Sequence, residues 1–255
     1  MALLHHLLLL SILLPFCTAA TDSIGQYCAN SFNGSKIQAN IDHVLSDLVA
    51  KASVGGFATS YSGEGSDVIY GLAQCRRDVS SDDCSTCLTA AAKKLPTVCP
   101  GQADARIWYD YCFMRYDNEN FIGKADTGYA IILINVQNAT DPEAFDKEEE
   151  SLMSRLKAEA VAPGSKGFAT GKTEFTPDVT IYGLEQCTKD LQPLMCAQCL
   201  SSALAKFPDY CRFRRGCQVL SSSCIVRYEI YPFFFPLDLR PTTEVGHYSK
   251  AILYP

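Results

Sequence analysis

Apolar positions in the first half of the chain recur at helical spacing in two places. Ile41, Val44, Leu45, Leu48, Val49 and Ala52 fall three and four residues apart, the pattern of an amphipathic helix. Cys84, Cys87, Leu88, Ala91 and Leu95 form a second such face. Ser80 or Ser81 suits the N-cap of this helix, and Pro96 is expected to end it. Stretches rich in β-branched and aromatic residues surround Val68–Leu72, Ala105–Tyr116 and Tyr129–Val136 and predict strands. The second half repeats the order. Leu152, Met153, Leu156 and Ala160 predict one helix, and Pro193 opens another that carries Cys196, Cys199, Leu200, Ala203 and Phe207. Strands are expected at Val179–Leu184 and Gln218–Tyr231. Helices packed on an antiparallel sheet, an α+β fold, account for this order most economically.

The two halves agree residue by residue. Cys75, Cys84, Cys87, Cys99 and Cys112 return as Cys187, Cys196, Cys199, Cys211 and Cys224, each 112 residues later, so both copies read C-x8-C-x2-C-x11-C-x12-C. Ile69-Tyr70-Gly71-Leu72 returns as Ile181-Tyr182-Gly183-Leu184, and Arg115-Tyr116 as Arg227-Tyr228. Gly56-Phe57-Ala58-Thr59 returns as Gly167-Phe168-Ala169-Thr170, one residue out of step. Such a repeat predicts two tandem homologous domains, at 24–137 and 144–241, joined near Gln137–Pro142 and followed by a C-terminal tail at 242–255.

Composition sharpens the picture through cysteine. The 255 residues include 13 cysteines, an odd number. Residues 1–20, MALLHHLLLLSILLPFCTAA, have the apolar core and small-residue end of a secretory signal peptide. Its removal takes Cys17 and leaves an even set for an oxidising compartment. Cys84-x2-Cys87 alone also fits a redox dithiol or half a zinc site, but no second x2 pair follows. Structural disulfides are therefore expected, with no metal and no cofactor. A net charge of −6 argues against nucleic acid as the main partner. No later apolar run is long enough to span a bilayer, so no membrane anchor is expected. Asn33-Gly34-Ser35 and Asn138-Ala139-Thr140 are glycosylation sequons.

The C-x8-C-x2-C core, the upstream Tyr-Gly-Leu and the Arg-Tyr after the last cysteine resemble the plant cysteine-rich repeat secretory proteins. Their unit is the ginkbilobin-homologous, or salt-stress-response/antifungal, domain. The resemblance implies two helices on a five-stranded antiparallel sheet with three disulfides per domain. In the first domain it implies Cys28–Cys99, Cys75–Cys84 and Cys87–Cys112; in the second, Cys187–Cys196 and Cys199–Cys224. The second domain has no counterpart of Cys28, and elimination leaves Cys211–Cys217. It also implies a secreted, apoplastic protein of defence or stress responses.

No G-x-S-x-G, H-E-x-x-H or phosphate-loop motif appears, and nothing brings His43 and His247 together, so no enzyme and no catalytic residue is expected. Asp82-Asp83 and the run Asp146–Glu150 read as helix N-terminal and solvated acidic faces. Binding is the expected class. The mannose-binding relatives imply an Asn after the first cysteine, an Arg six before the last and a Glu five beyond it, a trio suited to sugar hydroxyls. The first domain offers Asn30, one step displaced, with Arg106 and Asp117; the second offers Gln218 and Glu229. Of Trp108 and Tyr109, one is expected to pack inward and leave the other to stack on a sugar. The alternative partner is an extracellular protein or receptor, met by the aromatic run Tyr231–Pro236, while the basic loop Arg212–Arg215 suits an acidic partner or cell-wall pectin.

Overall fold

A computed structural model describes residues 22–237 and 246–254. The expected signal peptide at 1–20, with Cys17, lies outside the described residues, as does the expected end of the second domain at 241.

Five strands make the first sheet: β1 (Ser23–Ser31), β2 (Phe57–Ser62), β3 (Ile69–Cys75), β4 (Gln102–Tyr109) and β5 (Cys112–Asp117). They lie in the order β1-β4-β5-β3-β2, antiparallel throughout, with α1 (Ser35–Gly55) and α2 (Ser81–Val98) on one face. The second unit contains β6 (Ala130–Asn135), α3 (Pro142–Val161), β7 (Phe168–Thr176), β8 (Val179–Cys187) and α4 (Pro193–Leu204). The one-turn α5 (Phe207–Tyr210), β9 (Cys217–Ser221), β10 (Cys224–Glu229) and β11 (Tyr248–Leu253) complete it. Its sheet runs β11-β6-β9-β10-β8-β7.

The unit boundary differs from the expected one. A join near 137 would leave β6 in the first domain, yet β6 pairs with β9, Ile132 opposite Val219. The first sheet therefore closes at Asp117 and the second opens at Ala130. The expected tail also joins the fold: β11 pairs with β6, Ala251 opposite Ile132, giving a sixth strand where the resemblance implied five. Pro96 sits in the last turn of α2 without ending it, and the helix closes with Cys99 N–H donating to Leu95 O.

Each helix pair covers its sheet with the apolar stripe read from the sequence. Ile41, Val44, Leu45, Leu48 and Ala52 of α1 meet Cys84, Cys87, Leu88, Ala91 and Leu95 of α2 over the first sheet. The Tyr-Gly-Leu glycines make this close approach feasible. A Cβ on Gly71 would lie 2.3 Å from Val44 Cγ1, and one on Gly183 would lie 2.7 Å from Leu156 Cδ1. Ser80 caps α2 by accepting the Asp83 N–H at 3.1 Å.

Three disulfides staple each unit. Cys84 and Cys87, one turn apart, tie α2 to the end of β3 at Cys75 and the start of β5 at Cys112. Cys196 and Cys199 tie α4 to Cys187 and Cys224 in the same way. Cys28–Cys99 joins β1 to the end of α2, whereas Cys211–Cys217 closes a short local loop. Each such bridge stabilises by about 2–4 kcal/mol through the unfolded chain.

Candidate functional site

The sheets meet through the faces turned away from their helices. Trp108, Tyr129, Ile131 and Leu220 form one buried cluster there, Trp108 stacked on Tyr129 at 5.4 Å between centroids. Trp108 Nε1 donates to Ser221 O at 3.0 Å. Around this cluster two repeat-related glutamines exchange hydrogen bonds. Gln74 Nε2 donates to Cys187 O at 2.8 Å and Gln186 Nε2 to Cys75 O at 3.0 Å. In return Lys189 N donates to Gln74 Oε1 and Arg77 N to Gln186 Oε1. Equivalent residues thus contact equivalent residues, the signature of a two-fold interface written within one chain.

Of the expected sugar-site residues in the first unit, Arg106 and Asp117 are buried on the face turned toward this interface. β4 and β5 place Asp104, Arg106, Arg115 and Asp117 on one face, because Arg106 lies opposite Arg115 in register. Arg106 forks onto Asp104 at 3.1 and 2.9 Å, and its Nη1 reaches Asp126 at 2.7 Å and Ser222 Oγ of the second unit at 2.5 Å. Its guanidinium lies over the Tyr27 ring at 4.8 Å. Burial works against the charged form, but Asp104 and Asp126 hold the Arg106 pKa above its ordinary value. Arg115 donates to Asp117 at 2.7 Å and to the same Asp126 oxygen at 2.9 Å. Arg106 is 6% exposed and Asp117 4%. Asn30 stays at the surface with a positive φ, donating to Asn118 Oδ1 at 3.2 Å.

The second unit builds a parallel cluster. Arg227 donates to Glu229 at 3.1 Å, to Asp110 of the first unit at 2.8 Å and to the Tyr231 hydroxyl at 3.2 Å. Tyr248 of β11 donates to Glu229 Oε1 at 2.6 Å and also bonds the Tyr231 hydroxyl. Burial opposes the Arg227 charge, and Asp110 and Glu229 overcome it, holding its pKa above the ordinary value. Gln218 lies opposite Arg227 on β9, buried with Glu229.

In both clusters the arginine of an Arg-Tyr pair, Arg115 or Arg227, holds the acid two residues on, Asp117 or Glu229; in the sequence this arginine marks the repeat and the family resemblance. Its recurrence two residues before an acid on a strand was the signal for it: residues two apart share a face. Asp126 and Asp110 come from loops and carried no pattern. Trp108 and Tyr109 do lie on opposite faces, but both are buried, Trp108 between the sheets and Tyr109 in the first core, so neither presents a ring to solvent. Phe233 of the aromatic run packs on Tyr182 and Leu184. Arg214 of the basic loop donates to Val136 O and Asn138 Oδ1, while Arg212 stays exposed. The sequon residues Asn33 and Asn138 are exposed. His43 lies on the surface of α1 and His247 on the surface ahead of β11. Among the described residues no cluster of three His, Cys, Asp or Glu side chains is placed to hold a metal ion. None of their helices is long and apolar enough to cross a membrane.

Comparison with known proteins gives the same architecture. Residues 17–119 and 134–231 match the family described as salt stress response/antifungal. Cysteine-rich repeat secretory protein 55 of Arabidopsis thaliana is 50% identical over 255 residues, covering 97% of each chain. The antimicrobial ginkbilobin-2-like protein of Castanea crenata is 40% identical, over 78% of this chain and 82% of that one. The tandem DUF26 ectodomain of the Arabidopsis thaliana cysteine-rich receptor-like protein PDLP8 superposes with a TM-score of 0.73 at 25% identity. That match covers 82% of this chain and 98% of the other. With the domain matched twice and a relative at half identity along nearly the whole length, this chain belongs to the salt stress response/antifungal family of cysteine-rich repeat proteins.

Proposed function

We propose that the protein works outside the plant cell as a non-enzymatic binding protein of defence and stress responses. On this reading it recognises an extracellular protein partner, such as a receptor ectodomain, and does not hold mannose or a cell-wall glycan at Arg106. The supporting observation is the enclosure of Arg106 by Asp104, Asp126 and Ser222. A sugar hydroxyl approaching that guanidinium would have to displace its forked ion pair with Asp104, a buried carboxylate, and its bond to Asp126. It would also have to part the two sheets at Trp108.

Titration with mannose and with mannan, followed by Trp108 fluorescence, is expected to give no saturable change. A saturable change that disappears in Arg106→Ala would overturn the reading and restore a lectin. The same substitution is expected to lower stability by about 3 kcal/mol in urea unfolding, because it leaves the buried Asp104 without its cation. An Arg106→Ala protein as stable as the parent would show that the ion pairs do not hold the site shut.

A further inference from the structure

A cavity lies between α3 and the α4–α5 segment of the second unit. It encloses about 360 Å³, within the range of small-molecule sites. Its apolar wall is Met153, Leu204 and Phe207, and its rim carries Asp146, Glu150, Lys157 and Arg212. Glu149 lines it from the buried stripe of α3, in phase with Phe145, Leu152, Met153 and Leu156. The residue is 7% exposed, and its Oε1 has no hydrogen-bond partner. The acidic run was expected to be solvated throughout; helical phase turns Glu149 inward instead.

The first unit shows that the fold has no need of a carboxyl there. Val44 and Leu48 crowd Gly71 as Leu152 and Leu156 crowd Gly183, which sets α1 and α3 in correspondence 108 residues apart. Glu149 accordingly occupies the place of Ile41, a core residue. Burying a carboxyl without a partner is costly, and an apolar residue would avoid that cost. On the rim Arg212 Nε lies 3.8 Å from Asp146, and Lys157 Nζ donates to Ser201 Oγ at 3.5 Å. Of the three acids lining the cavity, Glu149 alone is buried, with its Oε1 unpartnered.

The geometry points to a binding site for a small organic cation, an amine or guanidinium on an apolar stem. Its head would meet Glu149 and its stem would pack on Met153, Leu204 and Phe207. The groups that face Glu149 are Asp146 and Glu150 on its own helix, Glu185 of β8 and Tyr228 of β10. Burial first, then the three acids, push the Glu149 carboxyl up to about 8. Below that pH a bound cation ionises Glu149, whose proton leaves to solvent, one proton per ligand. Affinity then rises up to tenfold per pH unit until the carboxyl is already ionised.

The test is calorimetric titration of the oxidised, full-length protein with 2-phenylethylamine from pH 5.5 to 8.5, with neutral 2-phenylethanol as control. The amine is expected to bind saturably, its Kd falling with pH at a slope near one proton, while the alcohol shows no slope. Glu149→Gln keeps the size of the side chain and is expected to lose both the slope and at least tenfold in affinity. Equal amine binding by Glu149→Gln, or no saturable binding at millimolar amine, would overturn the proposal. Should that variant fail to fold, the Met153 methyl resonance of the parent protein decides. A shift on amine addition supports the site, and an unmoved resonance during saturation places the amine elsewhere and rejects it.

Discussion

Glu185 stands where the first unit has Ala73, fully buried on β8 with neither carboxylate oxygen hydrogen-bonded. Burial lifts it to about 8 against the pull of Lys157, and Glu149 is lifted by the same cause. The unfolded chain releases these protons near 4.5, so from there to about 8 the folded state binds more protons than the unfolded one. Stability is fully present below the lower value and is lost as pH rises through the upper. The urea midpoint is expected to be highest near pH 4.5 and to decline toward pH 8.5, on the order of 1 kcal/mol per unit for each carboxyl. Glu185→Ala, restoring the first unit's residue, should flatten half of that slope and stabilise the protein at pH 8. A parent profile flat from pH 5 to 8 would mean that both carboxyls ionise freely. Neither effect was legible from acidity alone. Asp146–Glu150 read as one solvated run, and only the spacing of Phe145, Glu149, Leu152 and Leu156 marks which acid turns inward.

At the scale of elements, the helices were the most legible part. Their apolar stripes and cysteines lie in one local window, whereas strand partners lie far off in sequence. The stretches Ala105–Tyr116 and Gln218–Tyr231 each read as one strand and are two, bent at Asp110–Tyr111 and Ser222–Ser223. β1 alternates weakly and gave no strand signal. β6 was legible as a strand but not as a member of its sheet, because an apolar run such as AIILIN fits either neighbour. β11 reads as a tail because half of its side chains face solvent. Its contribution is testable by ending the chain before Gly246. That truncation uncovers the β6 edge and removes the Tyr248 donor from Glu229, which is fully buried with Oε2 already unpartnered. Loss of one such bond costs about 2 kcal/mol, so Tm should fall by roughly 4–8 °C. Amide exchange should quicken at Ile132 and Ile134 and stay unchanged in β3. Unaltered exchange in β6 would show that the second sheet holds its edge without β11.

The whole molecule is organised by a repeat that docks on itself. The 112-residue period announced two units, yet nothing in it announced that Gln74 and Gln186 would each cap the other unit's backbone, or that Leu220 would share a cluster with its counterpart Trp108. A repeat states what each unit buries under its helices; what the outer faces bury depends on how two copies meet. The chain's single tryptophan lies at that meeting point, so its fluorescence reports docking while far-UV circular dichroism reports both sheets. In the parent protein the two signals are expected to unfold together, as one cooperative transition. Replacing both glutamines by alanine leaves the carbonyls of Cys75 and Cys187 and the amides of Arg77 and Lys189 without partners. At about 1–3 kcal/mol for each orphaned group, that loss rivals the stability of a domain, while each unit keeps its three disulfides and its own core. Fluorescence should then change at lower urea than circular dichroism, because the interface opens before the units melt. If the signals still coincide at an unshifted midpoint, the glutamine exchange does not lock the units, and the apolar contact of Trp108 with Tyr129, Ile131 and Leu220 is enough.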